Sequence, residues 1–553
     1  MSSATHDVAN QSPPFADIDL LDTDAALADA VCREGEGAAD LAELGAFARM
    51  CGSEDALELG RQANAHPPVL HAYDQKGRRR DVVEYHPAYH RLMETSAAAG
   101  LASGGWSHLA VPGEAPAAGR HVARAARLYL AAQMEAGHVC PLTMTHAAVP
   151  ALLAAPELAE AWLPRILSPR YDPRFLPAPS KTASTIGMGM TEKQGGSDVR
   201  ANTTRAEPAG HPSSGEHLLT GHKWFLSAPM SDAFLVLAQA PAGLTCFLLP
   251  RFLPDGKLNG LRLMRLKDKL GNRSNASAEV ELEKAHAWRV GEEGRGIATI
   301  IEMVTSTRLD CAVSSAGLMR LALANALHHT RHRSVLGRRL AEQPVMVEVL
   351  ADMALDVEAA TALAFRLARA FDKPEDAREG AYARLMTPVT KYWVCKMAPP
   401  LVAEAMECMG GNGYVEEGLL ARLYREVPVN SIWEGSGNVM ALDVLRVLQR
   451  EPDAATVVMD ELAEVASQDP HLKDGLGRVE AILHDPRTLD RRARQLVETL
   501  AVAAAGVLLR QHAPTPVADA FVASRLSGFA RTTYGQGLDW ADTRAIIARA
   551  WPV

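Results

Sequence analysis

The sequence predicts a mainly α-helical protein that carries an inserted β domain. Residues 1–183 are rich in Ala and Leu, with apolar residues at helical spacing. Residues 184–290 instead form short apolar runs separated by Gly, Pro, Asn and Asp, which is typical of strands joined by turns. From residue 291 the helical spacing returns. We therefore expect an N-terminal helical domain (1–183), a β domain (184–290), a helical bundle (291–445) and a C-terminal helical domain (446–553).

The composition predicts a soluble protein of several domains. Its 553 residues exceed what one hydrophobic core accommodates, and its contents of 48% hydrophobic and 22% charged residues are ordinary. The net charge of −9 gives no overall attraction to nucleic acids or acidic membranes. Seven cysteines without a CxxC pair predict reduced thiols and a cytoplasmic location. No signal peptide or membrane span is expected.

In the first region, helices are predicted near 24–32, 40–64 and 119–137, and no alternating strand pattern is found. The basic run 76–80 is expected to be a solvated loop. Gly187 and Gly189 form a G-x-G pair, but no third glycine follows to complete a dinucleotide fingerprint.

The β region contains five predicted strands, at 217–227, 233–238, 243–250, 261–270 and 278–282. Its first turn, residues 190–199, contains two adjacent glycines, hydroxyl groups and backbone amides. Such a turn can hold a phosphate or the polar edge of a ring, although an ordinary turn has the same composition.

Long helices are predicted around 297–322, over 345–370 and over 381–409, and the prolines at 388, 399 and 400 should bend or break the third. His328 and His332 have the spacing of metal ligands, but no third ligand accompanies them. A solvated helix face is the favoured interpretation, and no metal site is predicted.

One carboxylate, Glu434, stands between Trp433 and the glycines of a Gly435-Ser436-Gly437 segment. Partial burial beside Trp433 would raise the pKa of Glu434 towards that of a general base. A solvated carboxylate in a turn is the alternative from this stretch alone.

Four arginines cluster near the start of the last long helical pattern: Arg487, Arg491, Arg492 and Arg494. Residues 451–553 contain 11 Lys and Arg against 14 Asp and Glu, so the cluster lies in an acidic segment. A solvated helix face with intrahelical ion pairs is the favoured interpretation.

Five motifs, in order, resemble those of the acyl-CoA dehydrogenase family. They are the T-E-x-x-x-G-S-D segment from Thr191 to Asp198, the G-x-K-x-W-I-T-like segment 221–227, the R-x-x-F-G-like segment 333–337 with Leu336 in place of the aromatic, the GG-x-G-Y loop 410–414, and the I-Y-E-G-T-like segment 432–436. Within the family, segments 188–199, 266–277 and 427–438 are similar to those of AidB-type alkylation-response flavoproteins.

The resemblance implies a β-barrel middle domain, a four-helix bundle that carries the catalytic Glu, and an extra C-terminal helical domain. It also implies FAD as cofactor, a homotetramer, an acyl-CoA thioester as substrate and association of the C-terminal domain with double-stranded DNA. No membrane partner is implied.

The resemblance also assigns roles to individual residues. Glu434 would be the catalytic base, and Arg308, Trp433 and Gly435 would contact substrate. The residues expected to bind FAD are Met190, Thr191, Gly196, Ser197, Phe225, Leu226, Ser227, Arg333, Gly410, Gly411, Ser436 and Asn438. Arg487, Arg491, Arg492 and Arg494 would contact DNA.

Two functional hypotheses follow. In the first, the protein is an AidB-like flavoprotein of the response to DNA alkylation, weakly active on ordinary acyl-CoAs and associated with DNA. In the second, it is a dehydrogenase for a branched or unusual acyl-CoA without a DNA role. Trp433, larger than the Tyr of the family motif, and Thr305, where several relatives carry an acid, both argue against straight-chain substrates.

Overall fold

The computed structural model describes residues 5–37, 40–211, 214–528 and 532–551. It contains two compact units. Unit 1 comprises Met1–Glu54, His121–Gln133 and Cys311–Val553, and unit 2 comprises Asp55–Arg120 and Met134–Asp310. Among the described residues, no helix is long and apolar enough to cross a membrane. The four-domain division of the sequence remains a prediction.

The helical part of unit 2 contains a two-stranded hairpin. Its strands are β1 (Val69–Tyr73) and β2 (Arg79–Glu84), which pair in antiparallel register. The helices of this unit are α3 (Glu54–Ala65), α4 (Pro87–Ala98), α6 (Val139–Leu153) and α7 (Pro156–Ile166). Helix α4 starts at Pro87, and the His86 side chain accepts a hydrogen bond from the Ala88 amide, so both residues favour a helix start there.

The rest of unit 2 is a closed β-barrel. Its strands are β3 (Ile186–Gly189), β4 (Arg205–Pro208), β5 (Glu216–Ser227), β6 (Ala233–Ala240), β7 (Gly243–Pro250), β8 (Leu261–Leu266) and β9 (Ser277–Val290). The barrel closes because β6 pairs with both β4 and β7, and β5 and β9 complete the ring. Strand β3 extends it by parallel pairing with β6, and β8 pairs with β9. Phe234 and Phe247 are fully buried in its core.

Unit 1 is helical. Its elements before the last region are α1 (Ala25–Glu34), α2 (Leu41–Cys51), α5 (Arg120–Met134), the second half of α8 (Gly296–His332), β10 (Ser334–Val335), β11 (Arg338–Arg339), α9 (Pro344–Asp372), α10 (Ala377–Cys408), α11 (Leu419–Glu426) and α12 (Gly437–Arg450). The last region contributes α13 (Pro452–Ala466), α14 (Pro470–Leu483), α15 (Leu489–His512), α16 (Thr515–Leu526) and α17 (Thr543–Ala550).

Buried ion pairs attach the last helices to the bundle. Arg525 of α16 donates to Asp352 (2.5 Å) and to Asp356 (3.0 Å) of α9. Arg549 of α17 pairs with Glu358 of α9 (3.2 Å) and with Asp29 of α1 (2.7 Å). Because the α9 carboxylates are buried, loss of either arginine would remove a cationic partner from a buried charge.

The predicted fold class and all five predicted strands are confirmed, although β8 ends at Leu266 and β9 continues to Val290. One expectation for the first region was wrong, and a second was met only in part. The hairpin β1–β2 lies where no strand was predicted. The basic run 76–80 is an exposed turn at 76–78, as expected for a solvated loop, but Arg79 and Arg80 belong to β2. The region 40–64 forms two helices, which separate at Gly52 and Ser53.

The prolines of the helix over 381–409 were expected to bend or break it, and the break does not occur. Helix α10 continues through Pro388, Pro399 and Pro400. Side chains on both sides of Pro388, including Met386 and Val389, are fully buried. Tertiary packing therefore holds the helix together where local preference would end it.

Candidate active site

The first group of predicted FAD-binding residues lies on the loop that follows β3. Glu192 is fully buried in this loop and accepts hydrogen bonds from Lys223 Nζ (2.8 Å) and from the Thr203 and Thr204 amides (2.7 and 3.2 Å). Burial alone would raise the pKa of Glu192, but the hydrogen bonds from Lys223 and Thr204 outweigh it and hold that pKa well below its usual value. The ionised Glu192 therefore fixes the loop to strand β5, which carries Lys223.

The same loop is fixed at two further points. The Trp224 amide donates to the Thr191 carbonyl (2.8 Å), and Asn202 Nδ2 donates to the Met190 carbonyl (3.0 Å). A Cβ at Gly196 would lie 2.4 Å from Thr191 Oγ1, so only glycine fits beside that side chain. Thr191 and Gly196 are thus brought together by packing.

The polar groups of this loop fit FAD. The amides of Gly196, Ser197 and Asp198 donate to no acceptor among the described residues, and the Ser197 side chain is exposed. Asn202 Oδ1 is buried without a hydrogen-bond partner in the described chain. Unused donors on a glycine-containing turn suit a pyrophosphate or the edge of a flavin ring.

The next three predicted residues, 225–227, lie at the end of strand β5, and their side chains differ in exposure. Phe225 is exposed (47%), Leu226 is fully buried and packs in the barrel, and Ser227 Oγ lies 3.2 Å from Ser277 Oγ. Lys267 Nζ lies 4.6 Å from the centre of the Phe225 ring. The exposed Phe225 ring suits the predicted aromatic cover of a flavin, whereas the buried Leu226 can contribute only its backbone.

The loop that contains Glu434 is tightly wound. A 3-10 helix covers Val427–Ser431, a turn follows, and α12 begins at Gly437. Glu434 and Gly435 both have left-handed backbone conformations, with φ of 57° and 108°. For Glu434 this conformation is strained, and strain of this kind is found at functional sites.

Lys391 of α10 holds this loop on both sides of Glu434. Its Nζ donates to the carbonyls of Asn430 (2.9 Å) and Gly435 (2.8 Å) and is almost fully buried. Asn430 in turn accepts from Trp433 Nε1 (2.9 Å) and donates to Ser315 Oγ (3.0 Å). The network fixes the backbone around Glu434 and the ring of Trp433.

Sequence reasoning missed Lys391 and the loop-fixing roles of Glu192 and Lys223. Glu192 and Lys223 stand inside the family motifs, so their positions were visible although their contact was not. Nothing in the local sequence around Lys391 points to a contact with the Glu434 loop.

The other predicted cofactor residues of unit 1 lie at exposed turns. Arg333 NH1 donates to the Asn10 carbonyl (2.6 Å) at the start of the hairpin β10–β11, and Leu336 at the hairpin tip is 95% exposed. Gly410 and Gly411 belong to an exposed 3-10 helix, and Ser436 and Asn438 are exposed at the start of α12.

The predicted substrate residue Arg308 is buried on α8 within unit 2. His328 and His332 are engaged in hydrogen bonds to the carbonyls of Pro13 (2.9 Å) and His328 (2.7 Å), respectively. Over the described ranges, no group of three or more His, Cys, Asp or Glu side chains is arranged to hold a metal ion.

The arginine cluster lies at the start of α15. Arg487 and Arg491 are exposed, Arg492 Nε donates to Gln495 (3.1 Å), and Arg494 Nε donates to the Tyr392 hydroxyl (3.1 Å). The expected solvated face is present, but the expected intrahelical ion pairs are not, since none of the four lies within ion-pair distance of a carboxylate among the described residues. Positive charge near a helix N-terminus is unfavourable, and Asp490 in the first turn of α15 offsets part of it.

Comparison with known proteins identifies related families and individual relatives of this chain. Three family models match in order: the adaptive response protein AidB N-terminal domain at residues 10–173, the acyl-CoA dehydrogenase middle domain at 187–285, and the acyl-CoA dehydrogenase C-terminal domain at 294–449. The putative acyl-CoA dehydrogenase AidB of Escherichia coli (strain K12) is 48% identical over 518 residues, which are 94% of each chain.

Two comparisons involve Caenorhabditis elegans. Its acyl-CoA dehydrogenase family member 11 is 33% identical over 488 residues, which are 82% of this chain and 77% of that protein. The crystal structure of its ACDH-11 in complex with C11-CoA is similar with a TM-score of 0.83 and 29% identity, and covers 99% of this chain and 96% of that one.

The fold and the matched domains define a flavoprotein class of FAD-dependent oxidoreductases that act on CH–CH groups. The chain belongs to the acyl-CoA dehydrogenase family, and within it to the AidB-type proteins. The resemblance inferred from the motifs is thereby confirmed.

Proposed function

We propose that this AidB-type flavoprotein serves the response to DNA alkylation, that Glu434 removes the Cα proton of an acyl-CoA thioester, and that ordinary acyl-CoAs react slowly. The observation that carries the catalytic part is the strained backbone at Glu434, held on both sides by the buried Lys391. A fold retains such strain where a side chain must be presented in one geometry.

The proposed reaction divides between cofactor and protein. FAD, when bound, supplies the acceptor for the hydride that leaves Cβ. The Glu434 carboxylate takes the Cα proton, and the Glu434 amide donates to the thioester carbonyl, which makes that proton more acidic. The loop after β3 and strand β5 would hold the flavin end of FAD through Met190, Thr191, Gly196, Ser197, Phe225, Leu226 and Ser227. In the proposed tetramer, Arg333 would contact the FAD phosphates of another subunit, and Gly410, Gly411, Ser436 and Asn438 would contact the adenine half.

Trp433 supports slow turnover of ordinary substrates. Its indole N–H is bonded to Asn430, so the ring has little freedom to move away from an incoming acyl chain. The fixed indole ring of Trp433 narrows the space that an acyl chain can occupy beside Glu434 and Gly435. Acyl chains that need this space are therefore disfavoured.

Anaerobic titration of the FAD-loaded protein with a panel of acyl-CoAs tests the catalytic role. Flavin bleaching should be slow with straight-chain thioesters and absent in Glu434→Gln. Glu417→Gln, which changes an exposed carboxylate before α11, is the matched control and should bleach like the wild type. Bleaching at the wild-type rate in Glu434→Gln would show that another group is the base.

The association with double-stranded DNA rests on the arginines at the start of α15. Arg487, Arg491 and Arg492 have no carboxylate partner among the described residues, so their charges are available to phosphates. Binding to a short duplex should weaken with salt, and replacing these three arginines by Gln should reduce the slope of log K against log salt by about 2 to 3. Lys473→Gln, at an exposed position on α14, is the control. An unchanged slope in the triple variant would remove the DNA role from these residues.

A homotetramer is part of the proposal. Leu336 at the hairpin tip is 95% exposed and Tyr414 beside the glycine loop is 82% exposed, and apolar side chains with such exposure favour burial against another copy. Light scattering should give a tetramer for the wild type, and Leu336→Asp should shift it to smaller species.

The second candidate is a dehydrogenase for a branched or unusual acyl-CoA without a DNA role. One observation favours it: Arg494, a member of the cluster, is bonded to Tyr392 and so is used within the protein. Rapid bleaching by one branched thioester together with salt-independent, negligible duplex binding would establish this candidate instead.

A further inference from the structure

We propose that unit 2 carries a second small-molecule site, which binds a planar aromatic ring that bears one anionic group. The site is a cleft of about 400 Å³ between the hairpin β1–β2, helix α4, the segment 171–185 and the loop 228–231. This volume lies within the range of protein sites for small molecules. None of the residues predicted to bind FAD, acyl-CoA or DNA lines the cleft.

One wall of the cleft is aromatic. The rings of Tyr85 and Tyr89 stack with their centres 4.4 Å apart, and His90 stacks on Tyr171 at 5.9 Å. His90 Nδ1 is also within hydrogen-bond distance of the Tyr171 hydroxyl (2.9 Å). Burial lowers the pKa of His90, so this wall is uncharged at neutral pH. Ring faces and edges arranged in this way attract another planar ring.

The positive charge of the site comes from Arg80. Its two neighbours in the basic run are neutralised, because Arg78 pairs with Asp74 (2.7 Å) and Arg79 pairs with Asp81 (2.8 Å). Arg80 lines the cleft and pairs with no carboxylate in the described part of the chain. An unpaired guanidinium beside a cleft is suited to a carboxylate or a phosphate, which it can bind with two hydrogen bonds.

Two other charged groups around the cleft are paired. Lys181 Nζ donates to Asp232 (2.7 Å), and Asp172 accepts from Arg174 (2.6 Å). Glu84 is exposed to solvent and lies within hydrogen-bond distance of His71 Nε2 (2.9 Å). Among the described Lys and Arg residues that line the cleft, Arg80 is therefore the positive charge left for a ligand.

Ser231 gives an independent sign of a ligand. Its side chain is 3% exposed and lines the cleft, and its hydroxyl has no hydrogen-bond partner in the described chain. A buried hydroxyl without a partner is costly, and a polar substituent on a bound ring would satisfy it. The cleft therefore suits an aromatic anion: its aromatic wall suits the ring, Arg80 suits the negative charge, and Ser231 suits a polar substituent.

The anion can be a carboxylate or a phosphate, and titration calorimetry on the FAD-loaded protein separates the two. The probes are 4-hydroxybenzoate and adenosine monophosphate, with phenol and cyclohexanecarboxylate as analogues that lack the charge or the aromatic ring. At least one aromatic anion should bind, and both analogues should bind about tenfold more weakly or not at all. Failure of both aromatic anions to bind at millimolar concentration would overturn the proposal, as would equal binding of either analogue.

Variants connect binding to this cleft. Arg80→Gln and Ser231→Ala should each weaken the aromatic anion about tenfold, while Arg78→Gln, a paired arginine two residues away that does not line the cleft, should bind like the wild type. Arg80 is exposed, so its replacement should leave the melting temperature unchanged. Unchanged affinity in the Arg80 variant would place the probe elsewhere, for example in the FAD site, and would refute the proposal.

Discussion

Replacement of Lys391 by Met should both destabilise the bundle and impair proton removal by Glu434. Met keeps the unbranched shape of the side chain, one atom shorter, but removes the ammonium group that bonds the Asn430 and Gly435 carbonyls. Two carbonyls that lose a charged donor cost about 1 to 3 kcal/mol each. Removing a buried charge recovers part of this, so we expect a net loss of about 2 to 4 kcal/mol in the free energy of unfolding.

The expected loss of catalytic rate in Lys391→Met follows from the position of Lys391 beside the Glu434 loop. The two lost hydrogen bonds lie on either side of Glu434, so the strained turn can relax towards an ordinary conformation. A displacement of about 1 Å of a reacting group costs about 100-fold in rate. The rate constant of flavin bleaching by the best acyl-CoA should fall by about that factor in Lys391→Met, with FAD still bound.

Denaturant unfolding and anaerobic stopped-flow bleaching measure these two effects. Lys396→Met is the matched control. Lys396 lies on the same helix and packs against Gly437 at the end of the loop, but its ammonium lies 5.4 Å from the centre of the Tyr392 ring and donates to no loop carbonyl among the described residues. If Lys391→Met kept both the stability and the bleaching rate of the wild type, the assigned role of Lys391 would be wrong.

Three further predictions concern single carboxylates. Glu434→Gly should be more stable than Glu434→Gln by about 1 kcal/mol, because glycine adopts the left-handed φ of 57° without strain, and thermal unfolding of the two variants measures this. Burial opposes ionisation of Glu135, but hydrogen bonds from His138 and Asn64 and the charge of His138 lower its pKa from 4.5 to about 2. The ionised Glu135 therefore stabilises the fold above about pH 4.5, and this contribution of about 3 kcal/mol is lost as the pH falls towards 2. The free energy of unfolding should consequently fall more steeply between about pH 4.5 and about pH 2 in the wild type than in Glu135→Gln. Glu192→Gln should leave Lys223 as an uncompensated buried charge, and should destabilise unit 2 by about 3 to 5 kcal/mol and weaken FAD binding, as denaturation and FAD titration would show. Equal stability of Glu192→Gln and wild type would contradict the role of this ion pair.

The strands of the barrel were predictable because they alternate and are bounded by turn residues. The hairpin β1–β2 was not, since its residues are polar or half-exposed and Arg79 and Arg80 read as a solvated run. Strand β3 was hidden because Gly187 and Gly189 replace the usual strand residues. Side chains there would collide with Phe234 and Leu226, so the glycines reflect packing between neighbouring strands.

The Glu434 loop was likewise predictable only in part from the sequence. The glycines predicted a tight turn, but the left-handed conformation also includes Glu434 itself, which has no local signal. Lys391 lies 39 residues before Asn430 and 44 before Gly435, so only the packing of α10 against the loop reveals its contacts. The sequence motifs were sufficient to identify Glu434 as the candidate base. The side chains that position it, such as Lys391, could be identified only from the fold.

The order of segments in unit 1 has a consequence for synthesis of the chain. Helix α1 packs against α9 and α17, Asp24 at its start accepts from the Tyr129 hydroxyl (2.9 Å), and Asp29 pairs with Arg549 (2.7 Å). Helix α1 is synthesised long before α9, which begins at Pro344, and α9 before α17, so the apolar side of α1, including Leu27 and Val31, stays uncovered until these later helices have emerged. Unit 2 can complete its barrel in the meantime, so we expect the apolar side of α1 to be exposed to non-native contacts for longer than the barrel strands are.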